Sequence, residues 1–101
     1  MNIKKKKDAD KLTVTVSGRI DTATSPEVEQ FMSRSLDGIN ALTIDFKDVN
    51  NVSSAGLRVL LSLHKKMIAK DGMKLINVNE AVNDVFEVTG FDEILDYEKG
   101  E

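Results

Sequence analysis

The chain has no cysteine and no tryptophan, one histidine, one proline and no long apolar run. The absence of cysteine excludes disulfides, thiolate metal sites and cysteine nucleophiles. A membrane-spanning helix needs about 20 consecutive apolar residues, and no such stretch occurs, so we expect no membrane insertion. The basic N-terminus is not followed by the apolar segment of a secretory signal. We therefore expect a cytoplasmic protein.

The charge balance does not favour nucleic acid as a partner. The 14 basic and 17 acidic residues give a formal net charge of -3 and a pI of about 5.2, whereas nucleic-acid-binding domains are usually strongly basic. The run Lys4 to Lys7 is followed directly by Asp8 and then Asp10. We interpret the lysines as an exposed edge strand, where charge prevents edge-to-edge pairing, rather than as a patch for anionic lipid.

No set of catalytic residues is evident. The one histidine, His64, falls near the apolar stripe of a predicted helix, with no acid or serine placed beside it by the spacing. The six glycines are dispersed at turns and form no dinucleotide or phosphate-loop motif. We therefore expect neither an enzyme nor a cofactor or metal site.

Hydrophobic periodicity predicts one α/β domain over residues 1–101. Strands are predicted at residues 2–7, 12–16, 42–46 and 73–78, and helices at about 25–37, 55–69, 79–88 and 91–95, before a frayed acidic tail. An N-terminal antiparallel hairpin would join parallel inner strands. The expected architecture is a mixed four- to five-stranded sheet with about four helices mainly on one face.

The helix boundaries follow from capping residues and apolar stripes. Ser25 and Asn79 are the predicted caps of the first and third helices, and Pro26 suits the first helical turn. The buried stripe of the second helix is predicted to extend to Ile68, and that of the third helix to Val88.

Residues 42–64, LTIDFKDVNNVSSAGLRVLLSLH, carry the main functional signal. A short alternating strand leads through a polar turn into Ser53-Ser54-Ala55-Gly56, and a helix follows at once. This places the hydroxyl of Ser54 at a helix N-terminus, where backbone N–H groups are unpaired and the dipole is positive. Such a hydroxyl can cap the helix or carry a phosphate. The residues alone leave both roles open.

Three blocks of the chain resemble the STAS domain family, whose name stands for sulfate transporter and anti-sigma-factor antagonist. They are residues 16–26, with Gly18 and Asp21; residues 42–61, with a central block that starts at Asp45; and residues 78–95. The central block is the most specific because it combines a strand, a small-residue turn and a helix at fixed spacing. In length the chain resembles the free-standing antagonists of the family.

The resemblance implies a regulatory binding protein. In such antagonists a serine before a small residue and a glycine is phosphorylated by a partner that is both a serine kinase and an anti-sigma factor. Carried over by position, the phosphoacceptor is Ser54, and Ser53 is the second candidate because it replaces the aspartate that often precedes the acceptor. A phosphatase is a further candidate partner. The implied partner-binding surface consists of Asp21, Ser53, Ser54, Gly56, Leu57 and Arg58.

Three alternatives stay open. STAS domains also occur as adaptor subunits of transporter or sensor complexes, which need not be phosphorylated. Asp21 either lines the acceptor site or caps a turn. Arg58 stands where the family often has glycine, one helical turn after Ser54. It would contact a phosphate on Ser54, contact an acidic partner, or be a solvated surface residue.

Overall fold

The computed structural model describes residues 1–100, which form a five-stranded sheet, three α-helices and one short 3₁₀ helix. The strands are β1 (Asn2–Asp8), β2 (Lys11–Ile20), β3 (Ala41–Val52), β4 (Met73–Val78) and β5 (Asp96–Lys99). The helices are α1 (Ser25–Ser35), α2 (Ser54–Met67) and α3 (Glu80–Thr89), and the 3₁₀ helix spans Phe91–Glu93. The last residue of the predicted domain, Glu101, lies outside the described residues.

The strands lie in the sheet in chain order, β1-β2-β3-β4-β5. β1 pairs with β2 antiparallel, and every later pair is parallel. The predicted mixed sheet with an N-terminal hairpin is therefore confirmed.

Two expectations about the C-terminal part were wrong. The predicted closing helix at residues 91–95 is only a 3₁₀ turn, so residues 1–100 contain three α-helices rather than about four. The predicted frayed tail is instead strand β5, which pairs with β4. Its Tyr97 ring packs edge-on against the ring of Phe86, with centroids 5.0 Å apart.

One face of the sheet carries the core. The alternating residues of β2, β3 and β4 that point to the helices are almost completely buried, and they include Leu12, Val14, Val16, Leu42, Ile44, Phe46, Met73 and Leu75. The residues between them are polar and reach solvent, with Thr13 and Lys74 exposed and Thr43 half-buried. This alternation shows that the helices cover one face and leave the other face polar.

The lysine run forms the edge strand that the sequence predicts. Lys4 to Lys7 all lie in β1 and are all exposed. The ammonium of Lys5 lies 5.7 Å from the centroid of the Phe31 ring on α1, and it donates to the hydroxyl of Ser35 at 3.3 Å. Exposed lysines on an unpaired strand edge oppose association with other strands.

β3 is longer than predicted because it stays paired with β2 as far as Ile20, and this pairing contains two irregularities. Thr15 and Ser17 of β2 face Asp45 and Asp48 of β3, and the register shifts again after Gly18. β3 absorbs the extra residues and continues to Val52, which pairs with Ile20. The carboxyl ends of β2 and β3 therefore lie side by side.

The helix stripes are shorter than predicted. Ile68 lies just beyond α2 and is 66% exposed, and Val88 on α3 is 88% exposed. α3 packs through Val82 and Phe86, which are fully buried. Its predicted cap is confirmed, because the Asn79 side chain accepts from the backbone N–H of Val82 at 2.9 Å.

Candidate functional site

The start of α2 lies against the carboxyl end of β2. β3 ends at Val52, and α2 begins two residues later at Ser54. The backbone N–H of Ser53 donates to the carbonyl of Ile20 at 2.9 Å. This bond ties the first turn of α2 to the point where β2 ends and the connection to α1 begins.

Gly56 makes that close approach possible. A Cβ atom at this position would lie far inside contact distance of the Ile20 carbonyl oxygen, and 2.9 Å from both Ile20 Cγ2 and Val52 Cγ1. The backbone oxygen is held by the hydrogen bond from Ser53, so it has little room to move. The sequence needs glycine here because α2 begins in direct contact with a strand backbone.

The capping hydroxyl belongs to Ser53, so of the two roles that the sequence left open for Ser54 the structure excludes the cap. Ser53 has an extended backbone at the N-cap position, and its side chain accepts from the N–H of Gly56 at 3.5 Å, a long hydrogen bond. Ser53 is half-buried. Ser54 is the first residue of the helix and is exposed. The hydroxyl of Ser54 therefore reaches solvent beside the helix N-terminus.

The positive end of α2 has no carboxylate of its own. Within residues 1–100, α1 has Glu27 in its first turn and α3 has Glu80, but α2 has no acidic residue there. Acidic residues in the first turn stabilise a helix by interacting with its dipole. Of the three α-helices in residues 1–100, α2 is therefore the one whose positive N-terminus is not neutralised by an acidic residue of its own first turn.

Asp21 caps the turn between β2 and α1. Its carboxylate accepts from the backbone N–H groups of Ala23 and Thr24 at 3.0 and 3.1 Å, and the N–H of Asp21 donates to the Thr24 hydroxyl at 2.9 Å. The hydrogen bond from the Thr24 N–H, with further help from its hydroxyl and from Ala23, lowers the pKa of the Asp21 carboxyl despite partial desolvation. The turn-capping alternative for Asp21 therefore has direct structural support.

Ser25 is not the cap of α1 that the sequence predicts. The N-cap position is Thr24, and Ser25 is the first helical residue. Ser25 is only 5% exposed, and its hydroxyl has no hydrogen-bond partner among residues 1–100. Pro26 occupies the first turn, as predicted.

A groove of about 310 Å³ separates the first turns of α1 and α2. Thr22, Ser25, Pro26 and Glu29 line it from one side, and Ala55, Arg58 and Val59 line it from α2. Arg58 is exposed. The groove therefore lies directly beside the helical turn that contains Ser54.

Two residues of the predicted partner surface lie in the interior. Gly56 is buried against Ile20, and Leu57 is only 7% exposed. These two buried residues fix the position of α2 against β2 and β3. The accessible part of the predicted surface consists of Ser54 and Arg58, with Ser53 and Asp21 half-buried beside them.

Other candidate features lie away from this site. His64 is half-buried and lines a separate cavity of about 330 Å³ near the first residues of β3 and β4. Ten residues of helix, about 15 Å, separate it from Ser54. Within residues 1–100, no group of three or more histidine or acidic residues has an arrangement that could hold a metal ion. In the same range, no helix is long and apolar enough to cross a membrane.

Comparison with known proteins identifies the family. The STAS domain model matches residues 1–100. The anti-sigma-B factor antagonist of Bacillus subtilis is 30% identical over 98 residues, which cover 95% of this chain and 89% of that relative. The chain therefore belongs to the STAS domain family, and relatives at 29–30% identity from Bacillus subtilis and Listeria monocytogenes are named anti-sigma-B factor antagonists.

Solved structures agree with this assignment. A crystal structure of an anti-sigma factor antagonist from Mycobacterium paratuberculosis has a TM-score of 0.85 and 27% identity, and the match covers 95% of this chain and 83% of that one. The Bacillus antagonist SpoIIAA has the same fold. Its unphosphorylated form matches with a TM-score of 0.79 at 15% identity, covering 97% of this chain and 89% of that one. The phosphorylated form matches with a TM-score of 0.72 at 14% identity, covering 97% of this chain and 92% of that one.

Proposed function

We propose that this protein is a cytoplasmic anti-sigma-factor antagonist that is switched by phosphorylation of Ser54. The unphosphorylated form binds a serine-kinase anti-sigma factor, and the phosphorylated form is released. The observation that carries this proposal is the exposed hydroxyl of Ser54 at the first position of α2, next to a half-buried Ser53 that caps the helix. Two relatives are named anti-sigma-factor antagonists, which supports an anti-sigma factor as the partner. SpoIIAA, at 14–15% identity, supports the fold alone.

The modification is a phosphoryl transfer from ATP. The Ser54 oxygen attacks the terminal phosphorus, and a new O–P bond forms as the bond to the leaving ADP breaks. The serine proton passes to a base that the kinase supplies. A phosphatase that hydrolyses the phosphoserine would return the protein to its binding state.

The site is suited to tolerate the phosphate without a change of fold. Phosphorylation adds about -1.5 to -2 charges at neutral pH. An anion at a helix N-terminus is stabilised by about 0.3–1 kcal/mol when it is exposed. The first turn of α2 contains no acidic residue, so no carboxylate of that turn repels such a charge.

The interface with a partner would respond differently. A partner surface that fits a neutral hydroxyl would have to desolvate a new dianion. An unpaired charge in a well-packed interface typically costs about 2–5 kcal/mol. At about 1.4 kcal/mol per tenfold change in Kd, this is a 30-fold to several-thousand-fold loss of affinity. A local change of charge is therefore sufficient for release.

The proposal is tested by incubating the protein with ATP and a serine-kinase anti-sigma factor from the same genome, followed by intact-mass and peptide mass spectrometry. We expect one added phosphate on Ser54, which Ser54→Ala abolishes and the neighbouring control Ser53→Ala retains. Calorimetry should show that Ser54→Asp weakens binding of the same partner at least tenfold, with no loss of helical circular dichroism.

The opposite results would identify other roles. Phosphate on Ser53 alone would move the acceptor by one residue. Absence of phosphorylation by every such kinase, with stable binding to a transporter or sensor subunit, would establish the adaptor function instead. The replacement of the usual aspartate by Ser53 is the observation that favours that second function.

A further inference from the structure

The function proposed above assigns no specific role to the Arg58 side chain or to the α1–α2 groove that it lines. Arg58 lies four residues after Ser54 on α2, and both residues are exposed. Residues at this spacing lie on one face of a helix, with Cβ atoms about 5–6 Å apart. Helical side chains also lean toward the N-terminus of their helix. The long side chain of Arg58 is therefore able to extend toward the first turn.

Among residues 1–100, no carboxylate pairs with the guanidinium of Arg58. The ion pairs within residues 1–100 are Lys74–Glu98 and Lys99–Glu80, and neither involves Arg58. Glu29 lines the same groove from α1, but it does not come within ion-pairing distance of Arg58. An arginine presents five N–H donors in a planar fork that matches a phosphate.

A second polar group without a partner in residues 1–100 lies in the wall of the same groove, out of reach of solvent. The hydroxyl of Ser25 is buried and has no hydrogen-bond partner in the described chain. Ser25 lines the groove together with Arg58 and Ala55. A buried hydroxyl normally has a partner. Because the Ser25 oxygen is sealed from solvent, the group of the groove that can reach a phosphate is the Arg58 guanidinium, next to the helix start that lacks an acidic residue.

We infer that Arg58 is the intramolecular receptor for the phosphate on Ser54. This inference rests on the proposed function, and it adds that a residue of this chain binds the phosphate. In the unmodified protein the guanidinium is free at the partner surface. After phosphorylation it pairs with two phosphate oxygens and holds the group at the mouth of the groove. Phosphorylation then removes two features from that surface at once, the neutral hydroxyl of Ser54 and the free cation of Arg58.

The test does not require a kinase. Phosphoserine is incorporated at position 54 during translation by suppression of a stop codon, and its second ionisation is followed by ³¹P NMR. The reference pKa of a phosphoserine is about 6, and a cation within about 4–6 Å favours the dianion. We expect Arg58→Gln to raise this pKa by about one unit.

Lys66→Gln is the matched control. It removes the same charge from an exposed position of the same helix, twelve residues or about 18 Å from Ser54. This distance exceeds the screening length of about 8 Å at physiological salt, so the phosphoserine pKa should stay unchanged. Circular dichroism of both variants verifies that α2 is intact.

Two results would overturn the inference: an unchanged phosphoserine pKa in Arg58→Gln, or equal shifts in Arg58→Gln and Lys66→Gln. The experiment is independent of the proposed function. If no kinase modifies Ser54, the proposed switch fails, while the NMR titration still reports whether Arg58 receives a phosphate at that position. If kinases do modify Ser54 and the titration shows no shift, the switch stands and the role of Arg58 is refuted.

Discussion

Gly56→Ala separates two physical effects of opposite sign. Replacing glycine by alanine within a helix normally stabilises it by about 0.8–1 kcal/mol. At position 56 the added methyl group would clash with the Ile20 carbonyl oxygen. It would also lie 2.9 Å from each of two side-chain carbons, Ile20 Cγ2 and Val52 Cγ1. Extra volume in a packed region costs typically 1–3 kcal/mol, backbone shifts included, and a clash with a held backbone oxygen falls at about 2–3 kcal/mol of this range. We therefore expect a net destabilisation of about 1–2 kcal/mol.

The expected loss of stability is large enough to measure, and it is small enough that the variant still folds. A domain of about 100 residues has roughly 5–15 kcal/mol of stability, and 1 kcal/mol corresponds to about 4–8 °C in Tm. Calorimetry of Gly56→Ala should thus show a Tm lower by roughly 5–15 °C. Urea denaturation should show a lower midpoint concentration. Ser62, exposed on the same helix, provides the control. The difference between Ser62→Gly and Ser62→Ala measures the helix propensity alone. If Gly56→Ala proves as stable as the parent protein, or more stable, the contact argument is refuted.

The remaining predictions concern polar contacts. Asn79→Ala should lose about 2 kcal/mol in urea denaturation, because it removes both the cap on Val82 and the bond from Asn79 Nδ2 to the Val49 carbonyl at 2.7 Å; Asn79→Ser, which keeps a capping hydroxyl, should lose less. Tyr97→Phe should cost about 1 kcal/mol by leaving the buried Asn83 amide oxygen without its 2.8 Å donor; an unchanged midpoint contradicts this. The lowered pKa of Asp21 adds stability above about pH 4, which is lost as pH falls through the folded-state pKa. Asp21→Asn should therefore flatten the dependence of the urea midpoint on pH between 7 and 3, and an equally steep dependence would exclude this role.

The sequence predicted the central elements because their signals are local. Alternation in β3, the small-residue turn and the amphipathic pattern of α2 all lie within residues 42–64. The same signals did not separate Ser53 from Ser54 as the cap, since two adjacent hydroxyls suit the same pattern and helix ends are uncertain by a residue or two. The distinction depends on the backbone of Ser53, which the bond to Ile20 fixes.

The missed features depend on tertiary contacts. β5 (Asp96–Lys99) is short and mostly charged. It forms a strand because it hydrogen-bonds to the edge of β4 and because the Tyr97 ring packs against the Phe86 ring. The extension of β3 depends on register shifts against β2. The sequence did contain a sign of it, because Val49 and Val52 are three residues apart and break the alternation of a flat strand.

The order of the strands bears on how the chain acquires its structure. Each strand pairs with the strand that precedes it, so no pairing waits for a distant part of the polypeptide. Synthesis proceeds from the N-terminus, so each strand leaves the ribosome after the strand with which it pairs. Every later segment then adds to an existing edge, which keeps loop-closure entropy small at each step.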